Sequence, residues 1–161
     1  MIVRRITVAD AMLLRDVRLR ALQGEPLAFG STYASEAPRD SSEWEAWARH
    51  HASGANKATF FALREGAPVG LVSGMRSDEA SCFGLFSMWV DVVERRGGVG
   101  RELVAAVVSW AVASGGTRLT LWVTQAGARA FYERLGFVDD GRRKPLPHAP
   151  NVVEIGMTRG L

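Results

Sequence analysis

Three glycines and three arginines crowd into seven residues, Arg95-Arg96-Gly97-Gly98-Val99-Gly100-Arg101, immediately before a helical pattern. Glycines let the main chain come close to a ligand, and a helix start presents unpaired N–H groups at the positive end of its dipole. With arginines beside it, such a turn favours a pyrophosphate. Elsewhere the same kind of turn often serves only to pack a helix on a strand. Two other phosphate loops do not fit. A dinucleotide fingerprint wants a third glycine where Leu103 stands, and a P-loop wants Lys-Ser or Lys-Thr after its last glycine. A second chemical candidate is Tyr132. A phenol stays protonated at neutral pH and can give up that proton, although composition alone would bury this one in a core beside Phe131.

These residues need elements to position them. Ile2 to Ile6 alternates as a strand, and Val8 to Leu22 places Val8, Met12, Val17, Leu19 and Leu22 near helical spacing. Gly24 and Pro26 end that helix, and Leu27 to Arg39 reads as a loop holding Phe29 and Tyr33. Ser42 and Glu45 have capping-box spacing around Trp44, which predicts a short helix to about His51 with tryptophan in the core. Ala58 to Arg64 and Val69 to Arg76, joined by Glu65-Gly66-Ala67-Pro68, predict an antiparallel hairpin. A strand from Phe83 to Val93, the glycine turn, a helix from Val99 to Ala113 ended by Gly115-Gly116, and a strand from Arg118 to Val123 make a crossover. Ala126 to Leu135 predicts a last helix ended by Gly136, before strands near Phe137 to Asp139 and Val152 to Thr158 around a proline-rich loop. A hairpin ahead of the crossover differs from the repeated βαβ units of a doubly wound nucleotide fold.

Two blocks carry a resemblance. Arg95-x-x-Gly98-x-Gly100 after Met88-Trp89-Val90-Asp91 resembles the cofactor signature of the GNAT superfamily of acetyl-CoA-dependent N-acetyltransferases. Ala128-x-x-Phe131-Tyr132-Glu133-Arg134-Leu135-Gly136-Phe137 resembles the superfamily's later helix and the strand after it. The order of elements agrees along nearly the whole chain. The resemblance implies a mixed α/β fold, with a central twisted mixed sheet of about seven strands flanked by about four helices, and acetyl-CoA as co-substrate. It implies that main-chain groups of Met88 and Val90 bind the pantetheine arm. Arg95, Arg96, Gly97, Gly98, Val99, Gly100 and Arg101 would then hold the pyrophosphate, with Gln125 and Phe131 as further cofactor contacts. Gln125 stands where the superfamily often has asparagine, and Val92 where proline often follows the strand.

Acetyl transfer from a thioester needs a neutral amine, a stabilised oxyanion and a protonated leaving thiolate. The resemblance puts Tyr132 near the cofactor sulfur as proton donor. It also puts the Val90 N–H at the oxyanion, where two parallel strands commonly splay. The base stays open among Glu36, Glu43, Asp78, Glu79 and a water relay. His148, alone in the proline-rich loop, reads as incidental surface. Phe29, Tyr33, Trp44 and Trp89 either line an acceptor pocket or fill a core.

Composition narrows the remainder. A chain of 161 residues with 47% hydrophobic content suits one domain over 1–161. The net charge of +3 comes from scattered arginines, not the continuous basic face that a nucleic-acid binder needs. The lone Cys82 permits no internal disulfide and no cysteine-based metal site, so it reads as a packed thiol in a reducing compartment. The N-terminus lacks an apolar signal core, and the longest apolar run, Leu103 to Ala113, is far short of a bilayer span. The expectations are a cytoplasmic monomer or homodimer with no metal and no membrane partner, acting on an amine-bearing acceptor. The rival reading is a CoA-binding sensor or interaction module of the same fold with little turnover.

Overall fold

The computed structural model describes residues 1–124 and 126–161. Strand β1 (Ile2–Arg5) leads through a short 3₁₀ turn into helix α1 (Ala11–Gly24), followed by α2 (Tyr33–Glu36) and α3 (Ser41–Ala52). Strands β2 (Lys57–Arg64), β3 (Ala67–Arg76) and β4 (Cys82–Val90) form a meander. Helix α4 (Val99–Ala113) crosses over to β5 (Arg118–Val123), α5 (Ala126–Arg134) follows, and β6 (Val138–Leu146) and β7 (Ala149–Gly160) close the chain as a hairpin. One seven-stranded sheet results, in the order β1-β2-β3-β4-β5-β7-β6, antiparallel throughout except for β4 beside β5. The mixed sheet predicted from the resemblance is present, flanked by five helices among the described residues.

Two cores lie on the two faces of the sheet. On one, the α4 stripe of Val99, Leu103, Val104, Val107, Trp110 and Ala111 packs with Phe83, Leu85, Leu121, Val123 and Tyr132. On the other, Leu14, Val17, Leu22 and Trp44 of α1 and α3 cover Phe61, Leu71 and Trp89. Each such fully buried side chain contributes about 1.5–3 kcal/mol relative to leaving it in water. Helix α4 lies close on β3 because Gly70 and Gly74 leave room. A Cβ on Gly74 would sit 2.7 Å from the Trp110 ring, and one on Gly70 2.9 Å from Leu103.

Several boundaries differ from the sequence expectation, each for a local reason. Helix α3 is capped by Asp40 and Glu43, two residues earlier than Ser42 and Glu45, because the Asp40 carboxylate accepts from the Glu43 N–H at 3.1 Å while the Glu43 carboxylate accepts from the Asp40 N–H at 3.0 Å. The expected loop from Leu27 to Arg39 contains α2, started by the Thr32 hydroxyl on the Ser35 N–H. The β2–β3 turn needs only Glu65 and Gly66, both at positive φ, so Ala67 and Pro68 already belong to β3. Strand β4 stops at Val90, since Asp91 caps a 3₁₀ turn over Val92–Glu94. In the tail, the proline-rich loop shrinks to a tight turn at Pro147 and His148, and Arg142, Arg143 and Lys144 lie within a strand.

Under α3, buried Thr59 hydrogen-bonds both His51 Nδ1 at 2.8 Å and Ser73 Oγ at 2.7 Å. Burial pushes the His51 imidazole down to about 4. An unfolded histidine titrates near 6.5, so protons bind the unfolded chain first and stability must fall as pH drops from about 6.5 toward 4. We expect the melting temperature to decline across that window and His51→Gln to flatten the decline. A parallel decline in both proteins would show that His51 is not its source.

Candidate functional site

The parallel pair β4–β5 is joined only at Cys82–Gly84 with Arg118–Thr120. Beyond that point β4 continues to Val90 and β5 to Val123 without pairing, so the two strands diverge and leave main-chain groups facing a gap. Asp91 N–H bonds the Val69 carbonyl, which by antiparallel alternation turns the N–H and C=O of Val90 away from β3 into the gap. A bulge adds to the divergence. Leu71 pairs with Trp89 but Ser73 with Phe86, so Ser87 and Met88 together face one residue of β3, and Ser87 takes a φ of 57°. A left-handed non-glycine residue is strained and is held there by its surroundings. Arg18 Nη1 donates to Ser87 Oγ at 3.1 Å.

A cavity of about 800 Å³ runs through the gap, and its walls include Met88, Val90, Gly98, Gly100, Phe131 and Tyr132. Arginines 18, 95, 96, 101 and 134 border it, against few carboxylates, so its potential suits an anion. At one end, Gly98 caps α4 in the left-handed region at φ +86°, with no side chain bonded to the helix N-terminus. Gly100 faces Phe131 and Met88: an added Cβ would lie 3.0 Å from the Phe131 ring. The sequence-predicted loop and the second sequence block therefore meet in space.

Not every predicted contact is free for a ligand. Arg95 donates through Nε to the Val90 carbonyl at 3.0 Å and pairs with Glu25, tying α1 to the end of β4. Arg96 and Arg101 are exposed beside Gly98, while Gly97 and Val99 stand respectively open and buried in the core. Gln125 lies outside the described residues. Tyr132 is buried, its ring edge-on to Phe131 and Phe137, and burial raises its phenol well above the ordinary value. It borders the cavity fully protonated.

The carboxylates sort clearly. Glu36 is buried and grips Arg18 through two bonds of 3.0 and 2.9 Å. Burial pushes its carboxyl up, but the Arg18 bonds and charge outweigh this and hold it below the usual range. Glu43 caps α3, Glu79 pairs with Arg118, and Asp78 shares the β3–β4 turn with Glu79, away from the cavity. Phe29 and Trp89 border the cavity, Trp44 is core, and Tyr33 is exposed. His148 is more than incidental surface: its Nε2 donates to the Phe29 carbonyl at 2.7 Å, and Thr124 Oγ1 donates to the Leu27 carbonyl at 2.8 Å. Sequence reasoning missed Arg18, Trp122 and Glu154, all of which border the cavity. For Glu154 there was a signal, a single charge amid Val152, Val153, Ile155 and Met157. Among the described residues no group of three or more His, Cys, Asp or Glu is placed to hold a metal, and no helix is long and apolar enough to cross a membrane.

The sequence model of the Acetyltransferase (GNAT) family matches residues 20–137. No curated protein matches the chain significantly in sequence. Among solved structures, a GNAT-family acetyltransferase from Streptococcus pneumoniae superposes with a TM-score of 0.82 at 23% identity, over 99% of this chain and 98% of that one. The ribosomal-protein-alanine N-acetyltransferase of Brucella melitensis gives 0.81 at 24% identity over the full length of both. The yncA protein of Salmonella typhimurium, solved with its cofactor acetyl-CoA, gives 0.80 at 17% identity over 100% and 94%.

The pair that Glu36 makes with Arg18, itself part of the cavity wall, sets one testable limit. Glu36→Ala strands a buried guanidinium, and breaking such a pair costs about 3–5 kcal/mol. The urea midpoint should fall accordingly; an unmoved midpoint would mean that water already solvates Arg18.

Proposed function

The chain belongs to the acetyltransferase (GNAT) family, and from that premise we propose that it moves the acetyl group of acetyl-CoA to a primary amine on a small molecule or a protein. The observation that carries this reading is the gap between β4 and β5, which has an anion-binding helix start at one end and a protonated phenol in its wall.

Each cofactor segment has a matching surface. The pyrophosphate suits the open N–H groups at the start of α4, with Arg96 and Arg101 alongside. Arg95 serves that loop indirectly, by holding Val90 and Glu25. The pantetheine amides suit the main chain of Met88 and Val90, which would gain the strand partner that β5 does not provide. Gln125, outside the described residues, carries an amide of the kind the resemblance assigns to cofactor contact. Phe131 covers Gly100 and closes one side.

In the reaction a neutral amine attacks the thioester carbon. The C–N bond forms while the carbonyl oxygen becomes an oxyanion, which the Val90 N–H can meet. The C–S bond then breaks, and the thiolate takes the Tyr132 proton. The overall reading is tested with a panel of amines, acetyl-CoA and measurement of free thiol. Tight acetyl-CoA binding without thiol release from any amine would favour a CoA-binding module instead.

Two substitutions test the parts. Gly98→Glu forces a side chain into a left-handed position and a negative charge onto the phosphate site, so calorimetry should find acetyl-CoA binding abolished. A folded variant that still binds would relocate the phosphate site. Tyr132→Phe keeps the ring's packing and removes the proton, so the single-turnover rate should fall about 10²- to 10⁴-fold with acetyl-CoA affinity retained. An unchanged single-turnover rate would return Tyr132 to a packing role.

A further inference from the structure

Glu154 is buried, at 7% exposure, and its Oε2 atom has no hydrogen-bond partner among the described residues. Buried carboxylate oxygens are normally satisfied several times over, so a bare one bordering a cavity calls for an explanation. The nearest cation is Lys144 on the paired strand, its Nζ 3.6 Å from Oε2, an ion pair too long for a good hydrogen bond. The same ammonium stands 4.3 Å from the centre of the Trp122 ring. The Arg142 guanidinium also lies over this ring, 4.5 Å from its centre, but is tied to Asp140 at 2.7 Å, so Glu154 and Trp122 form an ammonium corner whose loosely held occupant is the chain's own lysine.

Its position relative to Tyr132 follows from register. Trp122 pairs with Gly156, so Glu154, two residues along β7, projects from the same face of the sheet as Trp122. Leu121 and Val123 project from the other face, packed with Tyr132. The two acid–base groups thus border one cavity from opposite faces of the sheet, with the strand gap between them. Glu36, the other buried carboxylate near the cavity, is already committed to Arg18.

We propose that Glu154 receives the ammonium of the acceptor and takes its proton, and that the acceptor is an unbranched primary alkylamine such as a lysine-type chain. This rests on the acetyl-transfer reading above. The substrate class follows from the occupant already there, since Lys144 presents four methylenes and an ammonium to the same corner. R–NH₃⁺ loses one proton to Glu154, which passes it to solvent. The amine then attacks, the C–N bond forms and the C–S bond breaks. The thiolate takes the Tyr132 proton, and the second N–H proton lost by nitrogen restores the phenol.

The test uses the full chain with acetyl-CoA and either butylamine or Nα-acetyl-lysine amide, measuring thiol release and acetyl-CoA affinity. The expected result is turnover of both amines, with Glu154→Gln lowering kcat about 10²-fold or more at unchanged acetyl-CoA affinity and melting temperature. Retained kcat in Glu154→Gln overturns the proton-transfer role. Should Glu154→Gln fail to fold, Lys144→Met decides: removal of the competing ammonium lowers KM for the amine, and an unchanged or raised KM overturns the corner. Thiol release with other amines but neither of these two overturns the substrate class. Acetyl-CoA binding with no thiol release from any amine instead fails the acetyl-transfer reading itself.

Discussion

Two parallel strands that stop bonding after three residues impose the central constraint on this molecule. Main-chain N–H and C=O groups buried without partners are expensive, so a sheet that opens in its middle must be held open and its exposed edges answered. The bulge at Ser87 turns β4 aside, the Arg18 side chain grips the bulge, and Arg95 takes up the carbonyl of Val90. What remains unanswered, the Val90 N–H among it, faces a cavity. The opening thus supplies both the space and the hydrogen-bonding groups that an extended amide-bearing ligand can complete.

Charge is divided between holding the fold and meeting ligands. Arg18 and Arg95 are consumed internally, by Glu36 and Ser87 in one case and by Glu25 and Val90 in the other. Their charge is largely cancelled by Glu36 and Glu25, so the positive potential of the cavity rests mainly on Arg96, Arg101 and Arg134. Among the described residues Arg96 has no ion pair and Arg101 has only the exposed contact with Glu102, so both are exposed beside Gly98. A row of similar residues therefore performs dissimilar tasks, and position in the fold decides which.

The glycine turn and the limits of α4 and β5 were legible because they depend on local rules: Gly98 must accept a left-handed backbone, and apolar spacing marks the helix through Ala113. The Ala128–Phe137 block was legible through its resemblance, and the structure brings it onto Gly100. Arg18 was illegible. On a helix it looks like any solvated arginine, and only the packing of α2 over α1 delivers Glu36 to it, eighteen positions away. The cap of α3 was misplaced by two competing Ser/Asp-x-x-Glu spacings within six residues, and geometry chose Asp40. Glu154 required the register of β7 against both β5 and β6 before its burial meant anything. His148 looked incidental because its partner is a main-chain carbonyl 119 positions away, which leaves no mark in side-chain chemistry.

The segment between α1 and α2 is fastened at two points, by Thr124 at the Leu27 carbonyl and by His148 at the Phe29 carbonyl. Both fasteners hold main chain, so neither depends on which side chains the segment carries. Exposed positions such as Ala28 and Gly30, both bordering the cavity, can be exchanged while the path of the loop stays the same. Mutation can therefore rewrite the lining around the cavity mouth without having to redesign its support. Descendants of this chain can diverge in what they admit while sharing one scaffold, and a library confined to these positions would explore recognition with little penalty in folding.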